Sequence, residues 1–407
     1  MTILNVHVDN QPAGELFESE FDRGVFIFNY NRQCPFHNAV SLTMPVSKDP
    51  YSFDYKHQLH PIFDMNLPEG DLRKRLRQQF GKAIANFDDL ALLEIVGKSQ
   101  IGRLRFTASG ESLAEIPNQS LTELITHDGA EDLFESLLER YAMYSGISGV
   151  QPKIMIRDSD MLETTRVTHK DATHIVKAWH ESEYPQLAAN EYFCLRAAKL
   201  ANLSVPNFSL SEHGKFLIIE RFDLSNNSYL GFEDFCVLNA KTSEQKYDGS
   251  YENITKRIRD FVSADQVHSA LEHFFKTLAL SCAVKNGDAH LKNFGVLYDN
   301  SEASVRLSPA YDIVSTTPYN PKDSLALTLG GSKRWPKYKA LIKFARSHCD
   351  LTESRAQELI GEVADGMVSA MSEINSYLHQ TPAFRQMGEV MVSEWNKGIN
   401  LSLRTDG

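Results

Sequence analysis

The sequence predicts an α+β protein in which a β-rich amino-terminal part is followed by a mixed part and a helical carboxy-terminal part. Residues 1 to about 60 hold short stretches of alternating apolar and polar side chains, separated by turn residues, as strands do. Residues 264–285 and 354–374 instead carry apolar side chains every three or four positions, which is the helical period. With a polar linker near residue 110, these patterns predict three parts: 1–110, 111–235 and 236–407.

The composition is that of an ordinary folded protein and limits the possible functions. Of the 407 residues, 42% are hydrophobic and 23% are charged, which is sufficient for a substantial core. The net charge of −11 argues against tight, unaided binding of nucleic acid, because contacts with phosphates dominate such binding. The sequence has no run of 18 apolar residues that would predict a transmembrane helix, and the amino terminus lacks the pattern of a signal peptide. The five cysteines are widely spaced, so we expect reduced, mostly buried thiols in a cytoplasmic protein.

The first 144 residues precede the first candidate site and are predicted to form strands and helices. Leu72, Leu76 and Phe80 recur every four residues and predict a helix over 66–80. The other elements predicted in this part are strands at 3–8, 15–17, 24–30 and 101–106, and helices at 88–96 and 131–144.

A loop rich in glycine and serine spans residues 145–153 and leads into a strand predicted at 153–157. Such a loop can bring backbone N–H groups close to phosphates, although it is neither a dinucleotide-binding motif nor a Walker motif. A flexible turn would have the same composition, and the loop alone does not decide between the two. The candidate phosphate-binding residues are Ser148, Gly149, Val150, Gln151 and Lys153.

A lysine in a short apolar strand and a glutamate on the following helix form the next candidate pair. Lys177 lies in the strand predicted over 174–178, where it could reach nucleotide phosphates or simply face solvent. The helix predicted over 185–201 places Glu191 on the same stripe as Leu195, so its carboxylate points toward the core. A buried carboxylate without a partner is costly, and Lys177 would be a suitable partner.

The apolar strand predicted over 215–223 ends in charged residues. We place a hinge at 220–222, where the backbone around Glu220 and Phe222 could hydrogen-bond an adenine. Arg221 and Asp223 can instead form a local structural pair, and the sequence leaves both interpretations open.

The most informative stretch is residues 286–293, which follows the helix predicted over 264–285. Asp288 and Asn293 are five positions apart, the spacing of a kinase catalytic loop. A hairpin is predicted next, and a second acid, Asp312, follows it where kinases carry a metal-binding aspartate. A solvated turn would explain the short motif alone, but the hairpin and Asp312 together favour the kinase interpretation.

Phosphoryl transfer needs this set of side chains, because its catalysis consists of positioning and charge neutralisation. Asp288 would orient the acceptor hydroxyl and accept its proton, while Asn293 and Asp312 would hold Mg²⁺ on the phosphates of ATP. Lys292 could offset charge on the transferring group, and His290 lies in the same segment. The sequence therefore predicts a two-lobed, protein-kinase-like fold with an added β-rich amino-terminal part and the nucleotide between the lobes.

The last part of the chain is predicted to be helical. Ser354 and Gln357 match a capping box that would open a helix. Met367 and Met371 fall at helical spacing in that helix and are expected in the core, not in a cofactor site. A final helix is predicted over 383–395.

Taken together, the motifs make nearly the whole chain resemble the HipA family, the kinase toxins of bacterial toxin–antitoxin pairs. The β-rich part with the sequence NLPEG at 66–70 resembles the family's amino-terminal subdomain, and SGVQPK at 148–153 resembles its phosphate loop. Asn190 and Glu191 resemble its helix-C motif. The segments at 220–223, 287–293 and 311–314 complete a combination that is specific although each piece alone is not.

The resemblance implies a Ser/Thr protein kinase that uses ATP and Mg²⁺, with Lys177 on the phosphates, Asp288 as base, and Asn293 and Asp312 as metal ligands. It also implies a small helix-turn-helix antitoxin, similar to HipB, that neutralises the kinase and carries the pair to operator DNA. This chain would then contact DNA only indirectly. The implied protein substrates include aminoacyl-tRNA synthetases, whose phosphorylation stops translation.

The resemblance further implies autophosphorylation of a serine in the Gly/Ser loop. Some family members carry serine where this chain has Gly146. We therefore predict Ser148 as the modified residue, with Ser145 as the second choice.

Two other functions agree with parts of the sequence. The catalytic segment also resembles that of aminoglycoside and choline kinases, which act on small hydroxyl compounds but lack the β-rich amino-terminal part. Alternatively, the chain could be a non-catalytic co-repressor that bridges antitoxin dimers on DNA. Replacement of Asp288 distinguishes the kinase from the co-repressor, because only the kinase needs this carboxylate.

Overall fold

The protein, analysed as a computed structural model, is described over residues 2–53, 57–82, 84, 87–113, 116–127, 131–149, 151–159, 172–179, 183–225 and 228–405. The chain forms two compact units, each built from segments that are distant in the sequence. The first unit consists of Met1–Ala178, Ile218–Gln245 and Val296–Ser304, and the second of Trp179–Leu217, Lys246–Gly295 and Val305–Gly407.

The strands and helices occur in the following order along the chain. The strands are β1 Ile3–Val8, β2 Gln11–Glu18, β3 Phe26–Tyr30, β4 Tyr51–Ser52, β5 Leu104–Ala108, β6 Asn118–Gln119, β7 Lys153–Asp158, β8 His174–Lys177, β9 Phe208–Leu210, β10 Leu217–Glu220, β11 Leu224–Ser225, β12 Ser228–Tyr229, β13 Gly231–Asp234, β14 Gly295–Tyr298 and β15 Val305–Leu307. The helices are α1 Pro61–Asp64, α2 Gly70–Phe80, α3 Asp89–Val96, α4 Leu121–Thr126, α5 Glu131–Tyr141, α6 Leu187–Leu200, α7 Phe235–Leu238, α8 Tyr251–Phe261, α9 Val267–Ala283, α10 Tyr338–His348, α11 Glu353–Gln380 and α12 Arg385–Gly398.

The first sheet of the first unit has the strand order β4-β3-β2-β1-β5, with antiparallel neighbours. Leu4, Val6 and Val8 alternate along β1 and are completely buried, because successive side chains of a strand point to opposite faces. Helix α3 packs against β5, and the Phe106 ring of β5 contacts Phe63 at a centroid distance of 5.9 Å. The strands predicted at the amino terminus are therefore confirmed.

A second sheet places β6, β7, β8 and β10 side by side within the first unit. Every residue of β7 is buried, as in strands that are covered on both faces. Helix α5 packs against β7, and the predicted apolar stripe of α5 is buried: Phe134, Leu137, Leu138 and Tyr141. The helix and strand that flank the Gly/Ser loop are thus confirmed.

The second unit is mainly helical. Helix α11 has 28 residues and packs against α6, α9, α10 and α12. Met367 and Met371 of α11 are buried, which confirms that they belong to the core. Trp395 of α12 is completely buried as well. The helices predicted over 264–285 and 383–395 are confirmed as α9 and α12.

The start of α11 corrects the predicted capping box. The N-cap is Thr352, whose hydroxyl accepts the N–H of Arg355 at 3.2 Å. A capping residue needs an extended backbone, and Thr352 has φ −68° and ψ 158°. Ser354 lies inside the first helical turn, so its hydroxyl cannot cap the helix.

Four of the five cysteines are buried, as predicted. Over the described part of the chain, the helices are too short or too polar to cross a membrane.

Two glycines of α11 should respond in opposite ways to replacement by alanine. A Cβ at Gly366 would lie 2.5 Å from the backbone nitrogen of Ala201, whereas Gly361 has open space around it. We expect Gly361→Ala to raise the free energy of unfolding by about 0.5–1 kcal/mol through helix propensity. Gly366→Ala should lower it by about 1–3 kcal/mol through overpacking.

Urea denaturation followed by tryptophan fluorescence measures both changes, because Trp179, Trp335 and Trp395 all belong to the second unit. Equal stability of the two variants would contradict the tight packing of α11 against the end of α6.

Candidate active site

The segment 286–293 follows α9 in the second unit, and hydrogen bonds fix its first residues. The N–H of Gly287 donates to Thr316 Oγ1 at 2.9 Å, and the N–H of Asp288 donates to Asn286 Oδ1 at 3.0 Å. The backbone that carries the Asp288 carboxylate is therefore held on both sides of Gly287.

Position 287 requires glycine because Asp323 and Ser324 lie too close to leave room for a side chain. A Cβ at this position would clash with the Asp323 carboxylate and would lie 2.8 Å from the Ser324 carbonyl oxygen. Any larger residue would therefore displace the backbone next to Asp288.

Asn293 connects the segment 286–293 to Asp312. Its Oδ1 accepts a hydrogen bond from the backbone N–H of His290 at 2.9 Å. Its Nδ2 donates to Asp312 Oδ2 at 2.9 Å. The first bond sets the amide orientation, because a flipped amide would place its NH₂ group against the His290 N–H. His290 Nε2 lies 3.9 Å from Asp288 Oδ1, so these four predicted residues form one cluster in the second unit.

Asp312 has a φ of 56°, a left-handed conformation that few non-glycine residues adopt. Strained backbone conformations of this kind are concentrated at functional sites, where contacts with the surrounding structure hold them in place. Here the Asn293 amide provides one of the bonds that hold the Asp312 carboxylate.

The donor set of Asn293 and Asp312 fits a magnesium ion. Mg²⁺ takes oxygen ligands and is often held by one or two protein side chains together with several waters. The carboxylate of Asp312 supplies such oxygens, and the amide oxygen of Asn293 has a second lone pair besides the one that accepts His290.

Two tyrosine hydroxyls support the backbone of the segment between Asp288 and Asn293. Tyr311 donates to the carbonyl oxygen of Lys292 at 2.7 Å, and Tyr251 donates to that of Ala289 at 3.1 Å. Burial raises the pKa of Tyr251 well above its ordinary value, so its hydroxyl remains a donor. The Lys292 side chain is half-buried beside this support.

Tyr247 is a site residue that the sequence analysis did not single out. Its hydroxyl donates to Asp288 Oδ1 at 2.6 Å, across 41 positions of the chain. The polar stretch 241–251 is predicted from the sequence to be a loop beside the active site, but this does not identify the contact between Tyr247 and Asp288.

Asn190 and Glu191 of α6 are both completely buried. Asn190 Nδ2 donates to the Ser315 carbonyl at 2.9 Å, and the Ser315 N–H donates to Asn190 Oδ1 at 2.8 Å. This reciprocal pair fastens α6 to the segment that follows Asp312, a role that the sequence did not indicate. The burial of Glu191 confirms its predicted direction toward the core, whereas its pairing with Lys177 stays a prediction.

The Gly/Ser loop lies in the first unit, where Glu69 holds it. Ser148 Oγ donates to Glu69 Oε1 at 2.7 Å, and Lys153 Nζ donates to the Ser148 carbonyl at 3.0 Å. Gly149 has a φ of 119°, which side chains rarely allow. The predicted residue Val150 lies outside the described residues. Glu69 belongs to the NLPEG sequence, but nothing in that motif indicated a contact with the loop.

Ser145 and Ser148 have different surroundings. Ser145 is completely buried, and its Oγ donates to the Tyr141 carbonyl at 2.7 Å and accepts the Met155 N–H at 2.9 Å. Ser148 is half-buried. The hydroxyl of Ser145 is therefore part of the fold, and that of Ser148 is the more accessible of the two.

Lys153 and Lys177 face each other directly across the antiparallel pair β7–β8. Their side chains lie on the same face of the sheet and are only 5% and 4% exposed. Like charges directly opposite one another destabilise a sheet, so the arrangement suits an anion on that face. Gln151 donates to the Ala178 carbonyl at 3.1 Å and fastens the loop to the end of β8.

The predicted hinge residues lie at the end of β10 in the first unit. Arg221 and Asp223 form a fully buried ion pair at 2.6 Å, which confirms that they pair locally. Glu220 is half-buried, and the Phe222 ring contacts Phe232 at a centroid distance of 5.6 Å. Their use as a hinge stays a prediction.

Two family models match the chain. The model described as the HipA-like C-terminal domain matches residues 145–371, and the model described as the HipA N-terminal domain matches residues 4–107. The first match contains the Gly/Ser loop, the segment 286–293 and Asp312.

Some similar proteins match over most of this chain and over most of their own length. "Putative kinase Y4dM" of Sinorhizobium fredii is 26% identical, and the alignment covers 89% of each chain. The Serine/threonine-protein kinase toxin HipA of Shewanella oneidensis is 24% identical, covering 78% of this chain and 76% of that one. A chain from the solved complex of Shewanella oneidensis HipA, HipB and operator DNA covers 98% of this chain and 96% of its own length, at a TM-score of 0.70 and 19% identity. This likeness confirms the predicted α+β, kinase-like fold.

Proposed function

The chain belongs to the HipA family, and on that premise we propose that it is a Ser/Thr protein kinase and the toxin of a HipBA-like toxin–antitoxin pair. The proposed reaction transfers the γ-phosphate of ATP to a serine or threonine hydroxyl of a protein. Relatives that match over most of the chain and are named as kinases support this proposal.

The observation that carries the proposal is the cluster of Asp288, His290, Asn293 and Asp312. Asp288 accepts the proton of the acceptor hydroxyl as general base. His290 orients the Asn293 amide through its backbone N–H. Lys292, on the supported backbone between them, offsets charge on the transferring group.

Asn293 and Asp312 are the proposed Mg²⁺ ligands. When bound, Mg²⁺ neutralises charge on the phosphates of ATP and so favours transfer of the γ-phosphate. The Nδ2–Oδ2 hydrogen bond between the two side chains keeps their oxygen atoms within one small region before any ion arrives.

Lys153 and Lys177 are the proposed phosphate-binding cations of the first unit. Their opposed positions on one sheet face concentrate positive charge, which attracts a polyphosphate. Ser148, Gly149, Val150 and Gln151 are proposed to add backbone donors, and Glu220 and Phe222 to flank the adenine.

A HipB-like helix-turn-helix antitoxin is the proposed partner, since the solved complex of the Shewanella oneidensis HipA contains HipB and operator DNA. DNA would be contacted only through that partner. The proposed substrate is a cytoplasmic protein such as an aminoacyl-tRNA synthetase.

Replacement of Asp288 tests the kinase proposal. The wild type with radiolabelled ATP and Mg²⁺ should label itself and one or a few proteins of a bacterial lysate. Asp288→Asn should lower this transfer at least about 100-fold, because the general base is lost. Chelation of Mg²⁺ should abolish it.

Asp365→Asn is the matched control, since Asp365 lies on the exposed side of α11 and should leave transfer unchanged. Absence of label from every protein despite measurable ATP binding would contradict the kinase proposal. Label confined to a small molecule would identify the aminoglycoside- or choline-type alternative, and repression without transfer would identify the co-repressor.

Autophosphorylation should fall on Ser148. A phosphate there would stand beside the Glu69 carboxylate that now accepts the hydroxyl, and like-charge repulsion should displace the loop. Peptide mass spectrometry after incubation with ATP should find phosphate on Ser148, and Asp288→Asn should lack it. An unmodified Ser148 in an active kinase would rule out this assignment, and phosphate on Ser145 would reverse the order of the two serines.

The partner proposal is tested by co-expression with a helix-turn-helix protein encoded beside this chain. The two should co-purify, and the complex should shift operator DNA that this acidic chain alone does not bind. Growth inhibition that the neighbouring protein neither binds nor relieves would exclude that protein as the antitoxin.

A further inference from the structure

We infer that Tyr247 is a positioning residue for the general base Asp288, an inference that rests on the proposed kinase function. The Tyr247 hydroxyl donates to Asp288 Oδ1 at 2.6 Å. A hydrogen bond from a hydroxyl to a carboxylate is short and about twice as strong as one between neutral groups. Such a bond selects one rotamer of an aspartate whose side chain is 46% exposed.

The Tyr247 ring is placed by its neighbours. It meets the His290 ring edge-on, with centroids 5.1 Å apart and planes at 80°. Lys246 Nζ lies 5.6 Å from the ring centroid, within the range of a cation–π contact. His290 Nε2 also lies 3.9 Å from Asp288 Oδ1, so Tyr247 and His290 approach the same carboxylate oxygen.

The chain on both sides of Tyr247 is hydrogen-bonded to the segment that carries Asp288, by a backbone carbonyl before it and by a side chain after it. The N–H of Leu291 donates to the Lys246 carbonyl at 3.1 Å, directly before Tyr247. Four residues later, the buried Tyr251 hydroxyl donates to the Ala289 carbonyl at 3.1 Å. Tyr247 therefore lies in a stretch that is hydrogen-bonded to the segment of Asp288 on either side of it.

This anchoring favours one of two roles for the hydroxyl. A tyrosine that occupies the place of the acceptor hydroxyl would block the base and would have to leave before each turnover. A tyrosine fixed to the segment that carries the base instead removes rotational freedom from the carboxylate before the acceptor arrives. Preorganisation of this kind accelerates the chemical step and leaves nucleotide binding unchanged.

The test compares steady-state kinetics of the wild type, Tyr247→Phe and Tyr247→Leu with radiolabelled ATP, Mg²⁺ and dephosphorylated casein, and follows self-labelling in the same reactions. Tyr247→Phe keeps the ring on His290 and removes only the hydroxyl. We expect its kcat to fall about tenfold, or about 1.4 kcal/mol. The KM for ATP should stay within about twofold of the wild type, because the lost interaction acts on the transfer step. Tyr247→Leu should lose at least as much kcat.

Tyr338→Phe, at the start of α10, is the matched control and should behave as the wild type. A Tyr247→Phe variant with wild-type kcat would overturn the inference, as would a loss seen only in Tyr247→Leu, which would assign the effect to the ring. A rise in kcat/KM of Tyr247→Phe would show that the hydroxyl blocks the acceptor. If the wild type labels neither casein nor itself, the kinase proposal fails first and the inference fails with it.

Discussion

The carboxamide of Asn293 is the group on which the proposed active site of the second unit depends. It accepts from the His290 N–H on one side and donates to Asp312 on the other. Aspartate could not donate, and an apolar residue of the same size could do neither. One planar group therefore sets the place of Asp312 relative to the segment of Asp288, across 19 positions of chain that contain β14 and β15.

The segment after Asp312 is held from a second direction. Asn190 forms its reciprocal pair with Ser315, and Thr316 both accepts from Gly287 and donates to the Lys285 carbonyl. These short polar bonds are partly or fully buried, so the loss of either partner would leave an unsatisfied group in a dry environment. The left-handed φ of Asp312 is maintained by contacts of this kind, since the backbone alone would not favour it.

Much of the fold was predictable because burial leaves a periodic trace in the sequence. The alternation in β1 and the stripes of α5, α9 and α11 follow from which faces are covered. The spacing of Asp288 and Asn293 was equally readable, since both lie in one short segment. Contacts that join distant parts of the chain leave no such trace: Tyr247 meets Asp288 across 41 positions, Glu69 meets Ser148 across 79, and Asn190 meets Ser315 across 125.

Choices between equivalent residues were also beyond the sequence. Thr352 and Ser354 are both good capping residues, and only the backbone conformation of Thr352 decides between them. Ser145 and Ser148 are chemically alike, yet one hydroxyl is fully engaged in the core and the other faces Glu69. In both cases the deciding factor is three-dimensional environment, not residue type.

The opposed lysines of β7 and β8 have a consequence for the folding equilibrium of the first unit. Like charges at directly opposed positions lower the stability of a sheet, and an anion bound beside Lys153 and Lys177 would offset that cost. If the unit binds a polyphosphate there, as proposed, thermodynamic linkage would make its melting temperature depend on polyphosphate concentration. Phosphate buffer and ionic strength would then act on the same two side chains, so the choice of buffer would change the apparent stability of the first unit.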